Sequence, residues 1–167
     1  MNAELTVRAR ILDLLRARDL EHRIVTHDLA YTAAEAAAAR GTALAIGGKS
    51  LVMKIGDTDR FGVFAVAADQ RTHGRTIRRH LKVSRLRFAT PEELAALTGL
   101  TPGCVPPFGR PIFELDLYVD AALAAQDEIA FTAGDHGCSI IMPTAAWLDA
   151  ARPTATFPCT RPPQEPS

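Results

Sequence analysis

The stretch Lys49-Ser50-Leu51-Val52-Met53-Lys54-Ile55-Gly56-Asp57-Thr58-Asp59-Arg60-Phe61-Gly62-Val63-Phe64-Ala65-Val66-Ala67 decides the fold. Leu51 to Ile55 and Phe61 to Ala67 are rich in β-branched, aromatic and other apolar residues. Gly56-Asp57-Thr58-Asp59 between them is turn chemistry, so the stretch predicts two paired strands. In the second strand Phe61, Val63, Phe64, Ala65 and Val66 are nearly continuous. A strand that is apolar on both faces belongs in the middle of a covered sheet.

Working outward, helices and strands alternate irregularly. Leu5 to Leu20 places Val7, Ile11, Leu14 and Leu15 at helical spacing between Arg and Asp residues, the pattern of an amphipathic helix. Arg23 to Thr26 predicts a short strand. Thr32-Ala33-Ala34-Glu35 is a capping box opening an alanine-rich helix that stops at Gly41. Thr76 to Leu81 predicts a short basic helix and Leu86 to Ala89 a strand. Thr90-Pro91-Glu92-Glu93 opens another helix that ends near Leu97. Phe113 to Val119 alternates apolar and polar residues, which predicts a half-exposed strand. Glu128 to Ala133 and Ser139 to Met142 flank the turn Gly134-Asp135-His136-Gly137, and Thr144 to Ala151 predicts a last helix carrying Trp147. About seven strands and five helices in this order predict one α+β domain with a mixed sheet. Residues 1–151 form that domain. Residues 152–167 hold five of the eleven prolines and are expected to be a disordered extension.

Composition excludes several classes. At 167 residues there is room for one domain, and 47% hydrophobic with 23% charged residues rules out general disorder. No run of 18 or more apolar residues is present, which excludes a transmembrane helix. Glu4, Arg8, Arg10 and Asp13 break up the N-terminal segment, so a secretory signal is not expected there. Three cysteines, Cys104, Cys138 and Cys159, without CxxC spacing fit a reducing cytosol, so a cytoplasmic protein is expected. The five histidines are scattered without metal-ligand spacing, and no metal or other cofactor is expected.

The zero net charge is a cancellation. From Arg60 to Arg87 eight basic residues face only Asp69, giving +7, while Ile112 to Ala150 holds seven acidic residues and no Lys or Arg. A local basic surface suits phosphates, and here it would include Arg75, Arg78, Arg79 and Lys82. Sixteen of nineteen basic residues are Arg, leaving only Lys49, Lys54 and Lys82 as Lys. Lys49 follows Gly47-Gly48, yet the P-loop pattern fails. Ala43 stands where that loop needs Gly, and a strand follows instead of a helix. Lys49 is instead read as an ammonium at the start of a strand, facing a cleft.

Thr101 to Pro111 carries four prolines and two glycines and cannot be a regular element. Prolines fix the backbone and glycines permit close approach to a ligand. Free N–H groups of Gly103, Cys104, Val105, Phe108 or Gly109 could bind an ester carbonyl or oxyanion. Asp135 and His136 could wall a pocket. A nucleophilic Cys104 or Cys138 with His136 as base is a further reading, without a local signature to support it.

In combination these segments resemble the YbaK/prolyl-tRNA-synthetase-associated domain family. The resemblance rests on Tyr31 to Ala37, Lys49-Ser50-Leu51, the basic helix, Leu86 to Leu94, Leu97-Thr98-Gly99 and Pro102 to Gly109. It extends to Gly134-Asp135-His136-Gly137 and covers about residues 5 to 151. It implies a partly opened, barrel-like mixed sheet surrounded by helices. It also implies hydrolysis, in trans, of the ester joining a wrong amino acid to a tRNA, with tRNA(Pro) carrying a small amino acid as the expected substrate. By the same resemblance Lys49 and Gly103 are the catalytic candidates. Tyr31, Thr32, Ser50, Cys104, Val105, Pro106, Pro107, Phe108, Gly109, Gly134, Asp135 and His136 are expected to bind substrate. Cys104 stands where many members have a second glycine. The expected partners are a tRNA acceptor end and an aminoacyl-tRNA synthetase, with no membrane and no DNA. The alternative is a non-catalytic module that binds aminoacyl-tRNA, an aminoacyl nucleotide or a synthetase.

Overall fold

The computed structural model describes residues 6–161. In chain order the elements are α1 (Val7–Ala17), β1 (Arg23–Thr26), α2 (Ala33–Arg40), a 3-10 turn (Leu44–Ile46), β2 (Gly48–Ile55), β3 (Phe61–Ala67), α3 (Gly74–Leu81), β4 (Leu86–Phe88) and α4 (Pro91–Thr98). There follow β5 (Asp116–Asp120), α5 (Ala121–Ala124), β6 (Glu128–Thr132), β7 (Cys138–Pro143), α6 (Thr144–Ala151) and β8 (Ala155–Phe157). Five strands form one sheet in the order β4-β2-β3-β5-β8, and three form a second in the order β1-β7-β6. A parallel bridge between Gly47 and Ala130 ties the sheets at one corner, but among the described residues they remain two sheets and do not close into a barrel.

The decisive stretch folds as read. β2 and β3 pair antiparallel from Gly48↔Ala67 to Lys54↔Phe61, and β3 is the middle strand of its sheet. Its two faces serve two cores. Val63 and Ala65 pack with Val52, Leu117 and Val119 against Ile129, Phe131, Ile140 and Met142 of the second sheet, with Ile11, Leu15 and Trp147 from α1 and α6. Phe64 and Val66 face Met53, Ile55, Tyr118, Ile77 of α3, Phe157 and Cys159. Burial of side chains of this size stabilises by roughly 1.5–3 kcal/mol each, so the sheet is held from both sides.

Two expectations are corrected. The strand read at Phe113 to Val119 begins only at Asp116. The carbonyl of Gly109 accepts from the N–H of both Ile112 (2.9 Å) and Phe113 (2.7 Å), and this tight turn leaves Phe113 and Leu115 buried in a loop. β5 is an interior strand, parallel to β3 and β8, and Tyr118 is 2% exposed. Alternation suggested a solvent face because the Tyr118 hydroxyl is polar, but it takes a 2.6 Å hydrogen bond from Arg60.

The second correction is the extension. Ala155–Phe157 adds a strand to the sheet, Cys159 is buried, and Thr160 bridges Thr72. The strap is held by the buried carboxylate of Asp120. It accepts from the N–H of Cys159 (2.6 Å), the N–H of Thr160 (3.2 Å) and the hydroxyl of Thr160 (3.3 Å). Proline content marked the segment as irregular but could not show this buried acceptor. Residues 162–167 of the expected extension lie outside the described residues.

Candidate active site

β2 is only half covered on its outer edge. β4 pairs with Met53, Lys54 and Ile55, and the N–H of Ala89 donates to Val52 O (2.8 Å). Polar backbone groups alternate sides along a strand, so Ser50 turns its N–H and C=O to the same side as Val52, beyond the last β4 pairing. Beside this open edge lies a cavity of about 230 Å³. It is lined from α2 and the segment before it by Tyr31, Thr32 and Arg40, from β2 by Lys49, Ser50 and Leu51, by Gly103 and Val105, and by Thr132 of β6.

Each wall has a local cause. Thr32 caps α2 by accepting from the Glu35 N–H (3.1 Å), while the Glu35 carboxylate reaches the Tyr31 N–H (3.0 Å), one residue further out than a capping box places it. This pins Tyr31 at the cavity rim, 63% exposed, with its ring 4.6 Å from the His136 ring. His136 Nδ1 lies 3.0 Å from the Ala30 carbonyl. A carbonyl only accepts, so Nδ1 carries a proton; in the neutral form of the ring the lone pair is then at Nε2.

Lys49 donates from Nζ to the Gln70 carbonyl (2.6 Å). Burial, and then the charge of Arg71, pull its pKa below the ordinary lysine value, with Asp69 opposing. The ammonium is therefore partly desolvated, with the Gln70 carbonyl as its hydrogen-bond acceptor.

The Pro/Gly loop divides into two parts. Gly103 is exposed, with φ of +89°, and a Cβ there would come within 3.3 Å of His136 Cε1. Among the described residues no acceptor takes the N–H of Gly103 or Val105, whereas the Cys104 N–H donates to Thr101 O (3.1 Å). Residues 104–109 are buried. Phe108 is fully enclosed against Phe131, and Trp147 Nε1 donates to Pro107 O (2.9 Å). Gly109 permits its own close approach, since a Cβ would lie 2.7 Å from Leu115 O. Pro106, Pro107, Phe108 and Gly109 thus anchor the loop in the core and are not among the cavity-lining residues.

The structure brings together Tyr31, Thr32, Lys49, Ser50, Gly103 and Val105, with His136 at the rim. It does not bring Gly134 and Asp135 there. Asp135 closes its own turn on the Gly137 N–H (2.8 Å), pairs with Arg8 (3.3 Å) and lines a separate hollow against α1 with Gly134. Cys104 and Cys138 are both buried, which leaves the cysteine-nucleophile reading without an exposed thiol; Cys159 is buried as well, and that burial raises its thiol to about 12. Arg75, Arg79 and Lys82 are exposed on or just after α3, while Arg78 lines another hollow with Lys54, Arg85 and Arg87, away from the cavity. Sequence reasoning missed Arg40. An arginine in the last turn of an alanine-rich helix looks like a solvated end, and nothing in its neighbours signals the cavity.

The match to the aminoacyl-tRNA editing domain model spans residues 27–150. The chain belongs to this family. This editing domain is 37% identical over 148 residues to the multifunctional Ser/Thr-tRNA deacylase ProXp-y of Escherichia coli (strain K12), covering 86% of the chain and 87% of that protein. Among solved structures it is similar to a candidate trans-editing enzyme for prolyl tRNA synthetase (25% identity, TM-score 0.79, 96% and 100% of the two chains). Hypothetical protein APE2540 shares the fold (20% identity, TM-score 0.81, 91% and 99% covered). Family and relative together support a trans-editing aminoacyl-tRNA deacylase.

Proposed function

We propose that this editing domain hydrolyses seryl and threonyl esters of mischarged tRNA in trans. The observation that carries the reading is that Lys49, Gly103 and Val105 line one cavity, and that among the described residues no acceptor takes the N–H of Gly103 or Val105. An aminoacyl ester is already activated, so positioning and oxyanion stabilisation suffice without a protein nucleophile. Lys49 leaves the Gln70 carbonyl to polarise the ester carbonyl, and the Gly103 and Val105 N–H groups receive the oxyanion. Water adds to the carbonyl carbon, the bond to the ribose oxygen breaks, and that oxygen takes up a proton. His136, with its lone pair on Nε2, orients the water at the rim, and Tyr31 and Thr32 close the amino-acid end.

The amino acids follow the name of the Escherichia coli relative, a Ser/Thr-tRNA deacylase, and the similarity to a candidate prolyl-type trans-editing enzyme supports tRNA(Pro) as one carrier and a synthetase as a partner. Arg75, Arg78, Arg79 and Lys82 attract acceptor-stem phosphates. No helix of the described residues is long and apolar enough to cross a membrane. A tRNA substrate supports a cytoplasmic site of action. The test is Lys49→Ala with a panel of mischarged tRNAs. Loss of deacylation with the fold retained supports the reading, and unchanged activity removes Lys49 from it. Binding without turnover by the wild type would return the non-catalytic module.

A further inference from the structure

Among the described residues Arg40 has no carboxylate beside it in the cavity that it lines. Its Nε is buried and has no hydrogen-bond partner among the described residues. Its Nη1 reaches only the Ser139 hydroxyl, at a long 3.5 Å. No Asp or Glu lines the cavity that it shares with Lys49. Burial lowers its pKa from the ordinary arginine value with no acid to offset the desolvation. A partly buried guanidinium with unused donors is costly unless an anion arrives to take them.

The surroundings fix where that anion would sit. His27 Nδ1 lies 2.7 Å from the Asp28 carbonyl, so it carries the proton. In the neutral form of the ring Nε2 then accepts from the Ser139 hydroxyl (2.9 Å), whose oxygen also lies 3.5 Å from Arg40 Nη1. The guanidinium is thereby oriented from behind. In front, Gly47 carries no side chain, and a Cβ there would crowd the guanidinium at 3.3 Å from Arg40 Nη2.

We propose that Arg40 receives a phosphate of the acceptor end, the one on the 5′ oxygen of the terminal nucleotide, and so sets the depth at which the ester enters. This rests on the deacylase reading of the same cavity. An aminoacyl ester has no carboxylate, so the anions this substrate offers are its phosphates. A planar fork of donors suits two phosphate oxygens at once, which a lysine cannot match. Arg40 is a binding and positioning residue in this scheme, and Lys49 remains at the ester.

The test measures binding of 5′-AMP and of adenosine to the full chain, in the wild type, Arg40→Gln and Arg40→Lys, each checked for folding by thermal unfolding. The wild type should bind AMP about tenfold or more tighter than adenosine, as a charge-assisted pair implies. Arg40→Gln should erase that difference, and Arg40→Lys, with the charge but not the fork, should fall between. With aminoacyl-tRNA, Arg40→Gln should raise KM far more than it lowers kcat. Equal binding of AMP and adenosine by the wild type, no detectable AMP binding, or a preference surviving in Arg40→Gln overturns the inference. Should Arg40→Gln not fold, Arg40→Lys decides on the same comparison. Failure of the wild type to deacylate any mischarged tRNA overturns the deacylase reading instead, independently of the binding result.

Discussion

Replacing Asp120 by Ala should detach the C-terminal strap from the sheet. The carboxylate is 1% exposed and accepts from Cys159 N–H, Thr160 N–H, the Thr160 hydroxyl and, at 3.1 Å, Ala122 N–H. Hydrogen bonds to a charged acceptor contribute about 1.5–3 kcal/mol each, and they are not additive when they share one acceptor. The Ala122 bond caps a short exposed-end helix and contributes least. A net loss of about 3–5 kcal/mol is therefore expected, a large fraction of a domain's stability. Denaturant unfolding monitored at Trp147 gives the number. Thiol labelling with peptide mapping gives the mechanism. Cys159, held at about 12 by burial, should return towards an ordinary thiol pKa in the released strap and react, while Cys104 and Cys138 stay protected in the main core. A loss below about 1 kcal/mol with Cys159 still protected would refute the clamp, because ordinary surface changes stay within that range.

Trp147→Phe removes the donor to Pro107 O and should cost about 1–2 kcal/mol in denaturant unfolding, with a fall in kcat as Gly103 shifts, since that carbonyl is left buried and unpaired. Replacing Arg75, Arg78 and Arg79 by Ala should weaken tRNA binding and reduce the slope of log affinity against log salt by about one per lost phosphate contact. Glu93 is held near 2 by Arg87, below the ordinary 4.5, so its charge stabilises the folded state fully above pH 4.5 and that contribution is lost as pH falls through about 2. A stability difference between wild type and Glu93→Gln should therefore persist at neutral pH and close in strong acid, as read by unfolding at a series of pH values.

Where the chain signals itself by local chemistry, the sequence reading and the structure agree. The β2–β3 stretch carries its turn and its double apolar face, and Thr90 with Glu93 forms the full reciprocal cap expected of α4. Sequence and structure part where a distant partner decides. β8 forms because β5 offers a free edge and Asp120 an acceptor, neither visible in a proline-rich segment. The loop at Gly103 was legible as rigid. Which way it faces was not, because Trp147, forty residues on, draws Pro107 inward and leaves only Gly103 and Val105 at the cavity. Asp135 was read into the pocket by adjacency to His136, yet a tight turn sends neighbouring side chains to opposite sides, and Arg8 holds Asp135 on the far one.

Lys49 and the N–H groups of Gly103 and Val105 are proposed to promote hydrolysis of a mischarged aminoacyl ester. The most direct measurement is single-turnover deacylation of seryl- and threonyl-tRNA by wild type and Lys49→Ala, with circular dichroism showing that both are folded. Loss of one group that stabilises the developing charge lowers the rate about 100- to 1,000-fold, and that loss is expected for Lys49→Ala. Equal rates for the two folded proteins would contradict the account.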